Sequence, residues 1–296
     1  ATCLHYGQES FEGLKAFRGS DGKVRVFRPE ENAQRMQHTS RGTMMPELPT
    51  ERFLEALDMM LRLNKSFIPP YGTGASLYIR PLMIGLGKQV GVAPAKEYMF
   101  LMFVTPVGPY FKAGFRPTPM AIMRGYDRAA PLGMGCYKVG GNYAASLVSG
   151  TKAHDLGYSA VIYLDAKEKL YIDECGPANF FGIRDNTYIT PKSPSILPSI
   201  TNKSLQVIAE DLGLKVECRP VHVEELATFE EAGACGTAAV ISPILHIDDL
   251  DEDKRYVISR DGNPGPISTA LYERLRGIQY GDYPDTHGWV RVYEDL

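Results

Sequence analysis

The stretch GCYKVGGNYAAS, from Gly135 to Ser146, places Lys138 just ahead of two glycines, Gly140 and Gly141. Two chemistries use such residues: a loop that cradles phosphate, or an amine that attacks a carbonyl. A phosphate loop of the Gly-x-x-x-x-Gly-Lys-Ser/Thr kind needs its glycines before the lysine and a hydroxyl after it. Here the order is reversed and Val139 follows the lysine, so the nucleotide reading is poor. No Gly-x-Gly-x-x-Gly opens a helix after a strand either, which removes a dinucleotide loop. Most lysines are surface residues, and spacing alone leaves that reading open beside the reactive amine. The neighbours favour the amine: the glycines permit close backbone approach, Asn142 is placed to cap the following helix, and Tyr143 sets a phenol at its mouth. Glu174 and Arg28 read in isolation as a solvated strand-end acid and a surface ion-pair residue.

These side chains need a scaffold. The segments LKAF and VRVF, joined by GSDGK, predict a hairpin, and Pro29 with Glu30 and Glu31 suits the first turn of a helix. Thr50 is expected to cap a second helix whose Phe53, Leu57, Met60 and Leu61 fall on one face. Two strands follow, ASLYIRPLMIG and EYMFLMFVTPV. The run PVGPYFKAGFRPTP then breaks the pattern and reads as a hinge. Beyond it the sequence predicts a strand at MAIMRG and a helix from about Tyr143 to Leu156 closed by Gly157. Four short strands come next (SAVIYLD, KLYIDE, NFFGIRD, TYITP), then a helix at NKSLQVIAEDLG. Strands near LKVECRPV, GACGTAAVISPI and RYVISR and a last helix at ISTALYERLRGI complete the second part. Runs of strands with helices interspersed indicate α+β architecture. The boundaries this implies are a small N-terminal domain over 1–105, a hinge over 106–118 and a large domain over 119–296.

Bulk properties restrict the partners. Hydrophobic residues make up 44% and charged residues 23%, an ordinary globular balance. Lys and Arg number 32 against 35 Asp and Glu, for a formal charge of -3, which argues against nucleic acid as the main partner. The five cysteines form no Cys-x-x-Cys pair and fit a reducing compartment, the cytoplasm. None of the six histidines has His-x-x-x-His spacing, so no metal is expected. The longest apolar run, YMFLMFV, is too short to cross a bilayer. Ala1 rather than methionine stands first, which leaves room for a removed leader.

YKVGGNYAAS, taken with SFEGLKAF, VFRPEENAQRM, SLYIRPLMIG, DECGPANFFGI, ILPSITNKSL and CGTAAVISP, resembles the branched-chain amino-acid aminotransferases of pyridoxal-phosphate fold type IV. The match runs in order over nearly the whole chain. It implies an N-terminal α/β domain, a larger C-terminal domain with a barrel-like mixed sheet, and pyridoxal 5'-phosphate between them. It also implies reversible amino transfer from leucine, isoleucine or valine to 2-oxoglutarate, in a homodimer. Lys138 resembles the lysine that forms an imine with the cofactor and shuttles the substrate proton. Glu174 resembles the carboxylate facing the pyridine nitrogen, and Tyr143 the phenol on the ring hydroxyl. Arg28, Thr237 and the amides of Ile200 and Thr201 resemble the phosphate ligands. Tyr78, with the amides of Thr237 and Ala238, resembles the α-carboxylate site. Arg80 and Tyr6 resemble the receivers of glutamate's distal carboxylate, and Phe11 part of the aliphatic slot.

The alternation Tyr78, Ile79, Arg80 sets both polar side chains on one face of a strand. Ala239 and Ser242 stand where some animal members carry a Cys-x-x-Cys, so no thiol switch is expected there. Pro177 follows DECG where other members often carry a hydroxyl or a different small residue. Rival readings are a D-amino-acid aminotransferase or an aminodeoxychorismate lyase of the same scaffold, and a cofactor-storing protein without turnover.

Overall fold

The computed structural model describes residues 1–109, 114–294 and 296, so part of the expected hinge lies outside the described residues. Contacts divide the chain into two compact units. The first comprises 1–110, 137–141 and 276–296, and the second 111–136 and 142–275. Residues 137–141 and 276–296, which a sequence division at 119 assigns to the large domain, therefore pack with the N-terminal segment.

In the first unit the predicted hairpin is β2 (Leu14–Arg18) with β3 (Val24–Phe27), preceded by the short β1 (Glu9–Phe11). The long antiparallel pair β4 (Ser76–Leu86) and β5 (Glu97–Val107) supplies the rest, with Ser76 opposite Val107 and Leu86 opposite Glu97. On its other edge β4 pairs first with β2 and then with β1. Pro81 stands where that neighbour changes, a place where a missing N–H breaks no ladder, and its carbonyl accepts the N–H of Glu12 at 2.8 Å. A C-terminal strand, Val290–Tyr293, pairs antiparallel with β3 and completes the sheet. Its VRVY has no tight turn and second strand beside it, as VRVF has, so the sequence does not announce it.

The core of this unit joins Leu14, Ala16, Val24, Val26, Leu77 and Ile79 of the sheet to Leu57, Met60 and Leu61 of the helix Thr50–Leu63. Each of these side chains other than Ala16 contributes about 1.5–3 kcal/mol by leaving water. Thr50 is not the cap expected of it: the helix begins at Thr50 itself, Pro49 holds the cap position, and no side chain bonds the first turn. Pro49 is extended (φ -56, ψ 142), so the cap falls one residue earlier than the threonine. Pro29 does open the helix Pro29–Gly42. Beneath that helix Glu12 is fully buried, and Arg35 clamps it with paired bonds of 2.8 and 2.7 Å while Asn32 donates at 2.7 Å.

In the second unit six strands close on themselves. They are β6 (Thr118–Ile122), β7 (Ala160–Leu164), β8 (Ile172–Cys175), β9 (Ala178–Arg184), and, after β10 (Thr187–Pro191) and β11 (Lys215–Arg219), β12 (Glu231–Gly236) and β13 (Val240–Asp249). The order β9-β12-β13-β6-β7-β8 returns to β9, which makes the expected barrel, and β13–β6 and β6–β7 are parallel, which makes it mixed. β10 and β11 extend from β9, and β14 (Lys254–Val257) from β13. Met120, Ile162, Ile172, Phe180, Ala234 and Ile244 belong to its apolar core. Asp185 and Asn186, both at positive φ, form the two-residue turn between β9 and β10.

Two expectations need revision here. The single strand expected at GACGTAAVISPI is two, β12 and β13, split by the turn 237–239. The helix expected from Tyr143 begins at Gly140 and runs to Ala145, then restarts as Leu147–Asp155. Asn142 lies inside the first piece rather than capping it, and its amide donates to the carbonyl of Met134 at 2.8 Å. Gly157, at φ 89, follows the second piece as predicted. Among the described residues no helix is long and apolar enough to cross a membrane.

Candidate active site

Within the first unit, Lys138 is held from two sides. On one, the hydroxyl of Thr39, buried in the helix Pro29–Gly42, accepts the Lys138 N–H at 3.0 Å. The same helix receives Tyr137: His38 packs on its ring at 4.8 Å, and a Cβ at Gly42 would fall 2.4 Å from it, so only glycine fits. On the other side is β1. The Phe11 N–H donates to the Lys138 carbonyl at 3.1 Å, and the Glu9 carboxylate accepts the N–H of Gly140. A Cβ at Gly140 would lie 2.8 Å from Glu9 Oε1, so a larger residue would push that carboxylate aside. The lysine backbone is thus fixed before its side chain is considered.

That side chain reaches over Phe11, with Nζ 4.7 Å from the ring centroid. The guanidinium of Arg80 lies over the same ring, also at 4.7 Å, and its Nη2 donates to the Tyr78 hydroxyl at 2.8 Å. Each contact is a favourable cation–π approach. Ile79 between them is fully buried, so Tyr78 and Arg80 share a face as the alternation predicts. Arg80 Nε is buried and finds no acceptor among the described residues. The first unit therefore brings Lys138, Phe11, Tyr78 and Arg80 together: an amine, an apolar ring, a phenol and a guanidinium able to take a carboxylate.

Two other residues named from the sequence sit differently. Tyr6 is exposed and gives its hydroxyl to the carbonyl of Val90. Arg28 adopts a left-handed backbone (φ 47) at the start of the helix Pro29–Gly42, an unusual conformation for a side-chain-bearing residue. Its N–H donates to the Trp289 carbonyl at 2.7 Å, its guanidinium lies 5.0 Å from the Trp289 ring, and Glu31 is 3.4 Å away.

In the second unit Glu174 is buried in the barrel wall, opposite Asn179 on β9, which in turn faces Cys235 on β12. Burial pushes its carboxyl up to about 7, against the pull of Arg128 at 2.9 Å and of the Leu197 N–H at 2.5 Å. Arg128 is fixed in turn by the carbonyls of Ser195 at 3.0 Å and Gly135 at 2.9 Å. Sequence reasoning missed Arg128: it sits in the loop YDRAAP, with no spacing that links it to a carboxylate so far along the chain. Glu174 and Asn179 both hold the Leu197 peptide, the second by an amide bond of 3.2 Å to its carbonyl.

That peptide leads straight into the helix Ile200–Asp211, capped by the Ser199 hydroxyl, which accepts the Asn202 N–H at 3.2 Å. Ile200 and Thr201 are buried, and among the described residues their N–H groups meet no acceptor. A helix N-terminus with two buried, unclaimed donors suits an anion. Thr237 and Ala238 occupy the turn after β12, the first half-buried and the second exposed. Tyr143 is half-buried, and its carbonyl accepts the N–H and hydroxyl of Ser146 at 3.1 and 2.8 Å. Among the described residues no group of three or more His, Cys, Asp or Glu could hold a metal ion.

Each unit, taken by itself, carries donors that fit pyridoxal phosphate. Orphaned amides at a helix start suit its phosphate, a buried carboxyl poised near neutrality suits its ring nitrogen, and a lysine on an anchored loop suits its aldehyde.

Comparison with known proteins points the same way. The profile of the amino-transferase class IV family matches residues 9–247. A branched-chain-amino-acid aminotransferase of Haemophilus influenzae is 48% identical over 98% of this chain and 86% of its own length. The solved branched-chain amino acid aminotransferase of Thermoproteus uzoniensis with norvaline superposes with a TM-score of 0.84 at 26% identity, covering 99% of this chain and 92% of that one. The T.th. branched-chain amino acid aminotransferase complexed with N-(5'-phosphopyridoxyl)-L-glutamate gives 0.83 at 27% identity, covering 98% of this chain and 91% of that one.

Proposed function

Because the chain belongs to the class IV aminotransferases, we propose that it moves an amino group reversibly from leucine, isoleucine or valine to 2-oxoglutarate, with Lys138 as the catalytic amine. Pyridoxal phosphate, on which this family depends, supplies the electron sink that stabilises negative charge at the substrate α-carbon. The chain's own residues do the rest. Lys138 would carry the proton from that carbon to the cofactor and, in the second half-reaction, from the cofactor to the α-carbon of the other substrate, a task that needs an amine held in place and partly neutral. Glu174 would face the ring nitrogen and favour its protonated form. Arg28, Thr237 and the amides of Ile200 and Thr201 would hold the phosphate, and Tyr143 the ring hydroxyl.

Substrate recognition falls to the face shared by Tyr78, Arg80 and Phe11. Tyr78 and the amides of Thr237 and Ala238 would take the α-carboxylate. Phe11 offers aliphatic side chains an apolar wall, while Arg80 beside it offers glutamate's second carboxylate a charge, with Tyr6 assisting. This pairing of an apolar ring and a guanidinium at 4.7 Å, next to the lysine, is the observation that carries the reading. The solved relative that carries a phosphopyridoxyl-L-glutamate adduct supports the dicarboxylate half of it.

The test is a panel of amino donors of both stereochemistries with 2-oxoglutarate, run on the wild type and on Lys138→Ala. L-Leucine, L-isoleucine and L-valine should turn over, and the variant should lose the yellow absorbance of the loaded enzyme and roughly a thousandfold in kcat. Preference for D-amino acids, or an unaffected variant, would overturn the proposal. We further read the protein as a cytoplasmic homodimer, on its five free cysteines and on the family resemblance.

A further inference from the structure

Glu9 has no part in the roles above, yet its carboxylate accepts the Gly140 N–H beside the lysine and feels the charge of Arg80. On β1, Glu9 and Phe11 are two apart and so share a face. They stand opposite Ile84 and Leu82 of β4, on the face that also carries Arg80 and Tyr78. The Glu9 carboxylate is thus on the side where the Arg80 guanidinium lies over Phe11, while the same carboxylate accepts the N–H of Gly140, two residues beyond Lys138. A Cβ at Gly140 would lie 2.8 Å from Glu9 Oε1, so a larger residue there would displace the carboxylate.

Resting on the reading of Arg80 given above, we propose that Glu9 is a positioning and specificity-determining residue: it latches the lysine loop and supplies the counter-charge that Arg80 needs when the substrate side chain is apolar. The physical problem is general. A guanidinium that must bind a second carboxylate in one half-reaction and tolerate an isobutyl group in the other is left unbalanced in the latter. Glu9 offsets that charge. It also weakens Arg80's hold on dicarboxylates, which lets glutamate and 2-oxoglutarate leave. Its carboxyl is raised by burial, and the Gly140 N–H and Arg80 pull it part of the way back.

Two substitutions separate the roles. Glu9→Gln keeps an oxygen for the Gly140 N–H and removes the charge, while Glu9→Ala removes both. The probes are glutarate, a dicarboxylate, and 4-methylpentanoate, its apolar counterpart, bound to the holoenzyme and followed by calorimetry. With Glu9→Gln, glutarate should bind about 3- to 10-fold tighter, the KM for 2-oxoglutarate should fall in step, and 4-methylpentanoate should stay within about twofold. Glu9→Ala should show the same split and, in addition, faster hydrogen exchange at the Gly140 amide.

If the two ligands shift together, or glutarate affinity does not rise in either variant, the inference is wrong while the transaminase reading stands. If wild-type protein binds neither ligand and transaminates nothing, both fall together. A fall in melting temperature of Glu9→Ala alone does not touch the charge arm, because Glu9→Gln tests it with the latch intact.

Discussion

A carboxyl that titrates at about 7 inside a barrel is a switch within reach of ordinary buffers, and Glu174 is such a group. Its folded-state value lies above its ordinary one because burial disfavours the charge, so native protein holds a proton that the unfolded chain has released. In cofactor-free protein this group contributes stability that is present below about pH 4.5 and lost as pH rises to about 7. Carbon-13 NMR of the labelled glutamate should show that midpoint, and loading with the cofactor should lower it, since a protonated ring beside the carboxyl favours its anion. A midpoint that stays put on loading would mean that Glu174 does not face the ring. At this scale the sequence is unevenly legible. Lys138 and Glu174 stand in compact motifs, so the resemblance singles them out for the proposed roles. Arg128, Thr39 and Glu9 act through folding that brings distant segments together, and no local spacing encodes that.

Elements are fixed by partners more than by propensity. The helix Pro29–Gly42 faces a strand end that carries Glu12, a carboxylate with no exposure, and Arg35 and Asn32 on that helix satisfy it. Arg35→Leu would leave that charge buried without its cation and should cost about 3–5 kcal/mol, read as a lowered midpoint in urea. The pair Glu12→Gln with Arg35→Leu should recover much of the loss. An undiminished midpoint in the single variant would show that water reaches the carboxylate. The amphipathic stripe of Thr50–Leu63 and the β2–β3 hairpin are legible because period and turn chemistry agree. Caps are less so: Thr50 and Asn142 have the right side chains, but Pro49 and the early start at Gly140 shift each helix by a turn or less and take the capping position away.

For the whole molecule, the fold class is readable because strands come in runs, and the closure of the barrel follows from one extra pairing, β8 with β9, that no single segment announces. The first unit leaves Val90 and Val92 almost fully exposed and Phe103 half exposed on β5, a strand that among the described residues pairs on one edge only. Apolar surface of that kind is usually covered by a partner. Light scattering should therefore give a mass about twice 32.8 kDa, and a monomeric value would remove the homodimer from the proposal. The Val290–Tyr293 strand has a further effect, on biosynthesis. A nascent chain still on the ribosome before residue 276 already contains Lys138, but lacks the segment that pairs with β3 and supplies Trp289 to Arg28. Lys138 is thus translated well ahead of the strand that pairs with β3, so a polypeptide released before residue 276 would carry the proposed catalytic amine without that part of its sheet.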